Sequence, residues 1–190
     1  ADFPEMVEFK AKADKIIKDR YGIEVEHFRA DVTYEEQFYK MRFNKKLNAD
    51  CIYGFPIVKG AWCNDRLKMG ALRKCKTNGI EYIGIAFDEP NRFHTLNDKK
   101  RSPLVEAQWT EEMCHKWCEE NDLLSPIYTQ SARGGCWFCH NQGIEQLRML
   151  RSKYPEYWQL LLKWDKDTPV YFKPDGHTVH DFDKRFENDV

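Results

Sequence analysis

The stretch "EYIGIAFD", residues 81–88, decides how the chain is read as a fold. Its apolar residues run almost unbroken. That is the pattern of a strand whose sheet is covered on both faces, not the in–out alternation of a half-exposed one. Working outward, "NDRLKMGALRKCKTNG" (64–79) reads as a helix with Asn64 or Asp65 as cap and Gly79 as stop. On the other side, "WTEEMCHKWCEEND" (109–122) reads as a helix capped by Thr110, followed by a short strand at "SPIYTQ" (125–130). Two further helices are predicted over 141–164, the second opened by Pro155. The first 23 residues give a helix with Asp2 as cap and Glu5 closing a capping box, and Pro4 lies in its first turn. Met6, Val7, Ala13, Ile16 and Ile17 form its apolar face and Gly22 ends it. "IEVEHFRA" (23–30) alternates like a strand, "YEEQFYKMRF" (34–43) suggests a helix, and 51–63 an irregular aromatic loop. Helices alternating with strands predict an α/β class, a parallel sheet flanked by helices, over residues 1–166. Residues 167–190 are polar and aromatic with little period, and are expected to form an extended tail.

The composition narrows the function classes. A chain of 190 residues with 42% apolar and 14% aromatic content has the material for one globular core. Its 30 basic and 31 acidic residues nearly cancel, which argues against nonspecific nucleic-acid or membrane-surface binding. No apolar run approaches the ~20 residues of a membrane span, and the N-terminus lacks a signal-peptide layout. Seven cysteines, an odd number, favour cytoplasmic thiols over a disulfide framework.

The cysteines divide by context. Cys114 and Cys118 lie four apart with Met113 and Trp117, a stripe expected in the core. Cys51 and Cys75 read as structural. Cys136 and Cys139 form a C-x-x-C turn in "SARGGCWFCHNQ" (131–142), entered through two glycines. Such a turn brings two sulfurs to one point and serves a metal knuckle, a redox pair or a plain turn. Cys63 is the nearest third thiol, His140 directly follows the pair, and Cys51 or Cys75 could also complete a set of four, so zinc or an iron–sulfur cluster is the expected cofactor of the metal reading.

Asp88, Glu89 and Arg92 follow the 81–88 strand at its C-terminal end, where open α/β sheets bind ligands. Arginine there suits phosphate or sulfate, and Lys68, Lys100, Arg101 and Arg133 could add to the same anion pocket. The alternative is that most of these are solvated surface charges, or that Asp88 and Glu89 pair with nearby lysines.

Several separated pieces resemble the phosphoadenosine and adenosine phosphosulfate reductase family of the adenine-nucleotide α-hydrolase superfamily. "DFPEMVEFKAKADKIIKDRYGIEV" is similar to the family's "FPET" segment with its helix and strand. "WCNDRLKMGALRK" resembles its Cys-Cys-x-x-x-Lys helix, with Trp62 in place of the first cysteine. "YIGIAFDEPNR" resembles the strand leading into an arginine-bearing phosphate loop, "KRSPLVEAQWTEEMCHKWCEENDLLSPIY" the "P-L-x-x-W-T-x-x-D" segment, and "ARGGCWFCH" the "G-C-x-x-C" turn. "RGGCWFC" followed by "YPEYW" resembles the family's phage-associated branch. The resemblance spans residues 2–164 and implies sulfur metabolism on an adenine nucleotide or its sulfated relative, with oxidoreductase-like or ATP-pyrophosphatase-type chemistry. It also implies that the Cys63 helix lies beside the Cys136–Cys139 turn. The family's phosphate loop, Ser-Gly-Gly-Lys-Asp-Ser, is not among these residues, nor does a cysteine follow Cys139. The expectation is therefore an upstream segment, or a partner chain, that supplies the loop and the centre of the sheet. A thiol reductant is a further expected partner. The alternative is a noncatalytic nucleotide- or metal-binding module, or one subunit of a split enzyme.

Overall fold

The chain order in the computed structural model, which describes residues 2–45, 48–57, 61–75, 78–131 and 134–187, begins with helix α1, Pro4–Tyr21. Pro4 occupies the first turn, where its missing N–H costs nothing, and Gly22 at φ 68° closes the helix by donating its N–H to Lys18 O. The cap is the backbone of Phe3 and not Asp2, whose carboxylate accepts from Lys10 Nζ at 2.6 Å. Helix α2, Tyr34–Tyr39, starts from a true capping box: Thr33 Oγ1 accepts from Glu36 N, and Glu36 Oε2 accepts from Thr33 N. The predicted helix over 34–43 is therefore cut short. Strands β1 (Met41–Asn44) and β2 (Ala49–Ile52) follow as an antiparallel hairpin, with Met41 opposite Ile52 and Asn44 opposite Ala49.

Residues Cys63–Met69 form a π-helical segment that runs into the short helix α3, Gly70–Leu72. Strands β3 (Glu81–Tyr82) and β4 (Lys100–Arg101) pair in parallel, and a 3₁₀ turn at Pro90–Thr95 lies between them. Helices α4 (Pro103–Glu106) and α5 (Glu111–Glu120) come next, then a 3₁₀ turn at Pro126–Thr129 where a short strand was predicted. Helices α6 (Ile144–Lys153), α7 (Pro155–Asp167) and α8 (Val179–Glu187) complete the chain. None of the described helices is long and apolar enough to cross a membrane.

The chain divides into two compact units, residues 1–74 with 126–190, and residues 75–125. The first holds a core of interlocked aromatic rings. Trp158, Leu161 and Trp164 recur on one face of α7, and Leu147 and Leu150 face inward from α6. Phe3, Phe38, Phe55, Phe138 and Phe172 come in from segments far apart in sequence. Gly54, at φ 68°, is required here, because a Cβ would meet Thr168 Oγ1 at 2.1 Å.

The expected tail at 167–190 is corrected by this packing. Val179, Phe182 and Phe186 form the buried stripe of α8, and Asp183 accepts hydrogen bonds from Arg151 Nε at 2.8 Å and Trp158 Nε1 at 2.7 Å. Residues 167–190 therefore belong to the same unit as α6 and α7.

In the second unit Ile85, Ala86 and Ser102 are buried, and Ser102 Oγ donates to Ile85 O at 2.7 Å. Thr110 caps α5 as expected, its hydroxyl accepting from Met113 N. The strand predicted over 81–88 is a strand only at Glu81–Tyr82, and residues 23–30 carry no strand. The apolar run alone does not make a sheet, because a ladder needs neighbours, and Ile80, Tyr82 and Phe87 stay exposed. At this coarse level the fold is mixed helix and strand with one small parallel pair.

Candidate functional site

Three segments of the first unit meet at a cavity of about 510 Å³. Cys63, Asn64 and Lys68 come from the π-helical segment, Cys136, Cys139 and His140 from the C-x-x-C turn, and Pro174 from the segment before α8. The π-helical segment is defined by Gly70 N–H donating to Asp65 O, five residues back. Segments of this kind are rare and concentrate at functional sites. Trp62 anchors its start, donating its indole N–H to Gly54 O at 3.1 Å. This sets Cys63 against the buried aromatic core.

The turn is held from inside. Cys139 N–H donates to Cys136 O at 3.1 Å, and Gln142 Nε2 donates to both Cys136 O and Trp137 O. Lys173 adds its ammonium, which donates to His140 O at 2.5 Å and to Gln142 O. Gly134 leads into the turn at a close approach, where a Cβ would stand 2.8 Å from Met6 Cε and 3.2 Å from Tyr128 Oη.

All seven cysteines are free thiols. Burial pushes the Cys63 thiol up, and the neighbouring Cys139 and Cys136 push it further, while the Lys68 ammonium opposes them. Burial likewise raises Cys136, again opposed by Lys68. His140 is buried, and burial together with Lys173 lowers its pKa, which favours the neutral imidazole that a metal can take. Among the described residues, no three Cys, His, Asp or Glu side chains are drawn together closely enough to hold an ion as they stand. The donor set of three soft sulfurs and a neutral imidazole on one cavity nevertheless matches zinc chemistry. A four-cysteine cluster has fewer candidates here.

The predicted anion residues fare differently. Lys68 stands with the cysteines. In the second unit, Arg92 Nη1 is bound to Glu89 at 2.8 and 2.9 Å, and this pairing holds the Glu89 carboxyl below its usual range. Arg101 grips Glu106 through two bonds, Lys100 lies 3.3 Å from Glu81, and Asp88 accepts from Glu111 N. Glu89 is thus paired with an arginine where the alternative stated above has a lysine, and Asp88 accepts from a backbone N–H. Arg133 lies outside the described residues. The expected core stripe on α5 is also revised. Met113 is 46% and Trp117 37% exposed, and Cys114 and Cys118 are only half-buried.

Tyr34, Gln142 and Lys173 border the site without any sequence signal that marked them. Lys173 lay in the presumed tail, and three of the rings around Tyr34, those of Trp62, Phe138 and Trp164, come from residues distant in sequence. Comparison of the chain with protein-family models, with curated proteins and with solved structures returns no match.

Proposed function

We propose that the chain is a thiol-ligated metal protein of the phosphosulfate-reductase type. Cys63, Cys136 and Cys139, with His140 as fourth donor, hold zinc or an iron–sulfur cluster. The cavity beside Lys68 receives the anionic end of an adenine nucleotide or its sulfated relative. The observation that carries this reading is the convergence of three thiols, an imidazole and an ammonium from separated segments on one cavity. The resemblance anticipates the same neighbours, and the parallel β3–β4 pair is in keeping with an edge of an adenine-nucleotide α-hydrolase-like sheet. When bound, the metal would supply Lewis-acid polarisation of the sulfur group. The protein's own part is simpler to state: Lys68 offers charge to the anion, and Gln142 with Lys173 fixes the backbone of the turn. Free thiols throughout fit a reducing, cytoplasmic setting.

The second reading, a noncatalytic metal-binding module, is favoured by one observation: Arg92 and Arg101 are already occupied by carboxylates. Elemental analysis with absorption spectroscopy on protein purified without air tests the metal common to both. The wild type is expected to carry about one metal site, and Cys136→Ser to lose it. A colourless, metal-free wild type with freely reactive Cys63, Cys136 and Cys139 would sink both. Calorimetric titration of the loaded protein with adenosine phosphosulfate then separates them. Binding that weakens at least tenfold in Lys68→Ala supports the enzyme, since a charge-assisted bond is worth ~1.5–3 kcal/mol. No heat of binding supports the module.

A further inference from the structure

The ring of Tyr34 lies between the two cysteine-bearing segments. Its centroid is 3.8 Å from that of Phe138, the residue just before Cys139, and 4.9 Å from that of Trp62, the residue just before Cys63. Trp164 closes a third side at 5.1 Å. The residue is 6% exposed, and its hydroxyl is buried with no hydrogen-bond partner among the described residues. A hydroxyl left in that state costs ~1–3 kcal/mol and calls for an explanation, which an acceptor gained in the metal-bound state would give. Trp164 Nε1 is another buried donor without a partner among the described residues, and of the two cysteine-bearing segments its ring packs on the one that holds Trp137 and Phe138. Tyr34 alone of the two spans both segments. The electrostatic neighbours that raise its pKa, after burial itself, are Cys63, Cys139 and Cys136, so it stays a protonated donor.

From this juxtaposition we infer that Tyr34 is a positioning residue for the thiolates, its phenol O–H donating to a sulfur of Cys63, Cys136 or Cys139 when they gather on a metal. The inference rests on the metal reading given above. Three thiolates on a divalent ion leave one net negative charge in a site walled by aromatic rings. Lys68 offsets that charge from the cavity side, and Tyr34 does so from the core side. Hydrogen bonds of this sort orient ligands and tune them, and their loss commonly costs 10–100-fold in metal affinity.

The test uses cobalt(II) as probe on the whole chain, wild type and Tyr34→Phe, which keeps the ring and removes only the hydroxyl. Cobalt affinity is measured by competition with a chromophoric chelator, and the thiolate-to-cobalt charge-transfer band is recorded. The expected result is an affinity lower by at least tenfold and a band moved to longer wavelength in Tyr34→Phe. Thermal unfolding of the metal-free proteins is the control. Because the hydroxyl has no partner there, the variant is expected to unfold at the same temperature or a higher one. A wild type without a thiolate–cobalt band would overturn the metal reading, and this inference with it. A wild type with the band, matched by Tyr34→Phe in affinity within threefold and in band position, would overturn Tyr34 alone. A metal-free Tyr34→Phe that unfolds at a lower temperature would show a merely structural hydroxyl and would likewise overturn it.

Discussion

Trp164 on α7 and Trp117 on α5 each lie on the apolar face of an amphipathic helix, yet one is 3% exposed and the other 37%. Trp164 stacks on Phe38 and Trp137, whose centroids are both 5.4 Å away, in a unit where helices, a hairpin and a loop bring rings together from many places. Trp117 belongs to a unit of residues 75–125, in which the only buried hydrophobic side chains among the described residues are Ile85 and Ala86. The same local pattern therefore ends in a closed core in one unit and in a partly open surface in the other. Amphipathicity says which face a helix wants to cover. It does not say that there is enough neighbouring surface to cover it.

The largest effect expected from this contrast comes from Trp164→Ala, which should destabilise the first unit by ~3–5 kcal/mol, as removal of a buried indole does. Chemical denaturation followed by tryptophan fluorescence measures it, and a loss below about 1 kcal/mol would break the distinction between the units. Next comes Asp183→Asn, at ~1.5–3 kcal/mol, since it weakens bonds from Arg151 and Trp158 to a charged acceptor. Burial alone would raise the Asp183 carboxyl, but the bonds from Arg151 and Trp158 outweigh it and hold the group below the usual carboxylate range. Its folded value is thus depressed, so its contribution is complete above the unfolded value near pH 4 and fades as pH falls through the folded one. The gap between wild type and Asp183→Asn should close on acidification; a gap constant down to pH 3 would detach α8 from this carboxylate.

In the second unit Thr110→Ala should cost ~1 kcal/mol, the value of an N-cap, seen as faster amide exchange confined to α5. The smallest effect is predicted for Trp117→Ala and for Cys114→Ala or Cys118→Ala, each within about 0.5 kcal/mol and without effect on bound metal. A large loss of stability in any of these would mean that the α5 face is covered in solution. Loss of metal from Cys114→Ala or Cys118→Ala would move the candidate site.

The elements that could be read from the residues are the ones settled within a few positions of themselves. Pro4 and Gly22 bound α1, Thr110 opens α5 and Pro155 opens α7, because a missing N–H, a left-handed glycine and a hydroxyl cap act on their own turn. The soft donors Cys63, Cys136, Cys139 and His140 were also visible as candidates, since thiol spacing and side-chain chemistry are written in one dimension. The extent of the strand at 81–88 was not, because pairing depends on which segments lie alongside, and among the described residues only Lys100–Arg101 does. Nor was α8: Val179, Phe182 and Phe186 have helical spacing, but charged residues between them hide it until α6 and α7 provide a surface to bury against. Tyr34 shows the division most plainly. Its place on a capped helix follows from Thr33 and Glu36 beside it. Its buried place between the two cysteine-bearing segments exists only because Trp62, Phe138 and Trp164 arrive from distant parts of the chain, and contacts made at that range are decided by packing and not by local sequence.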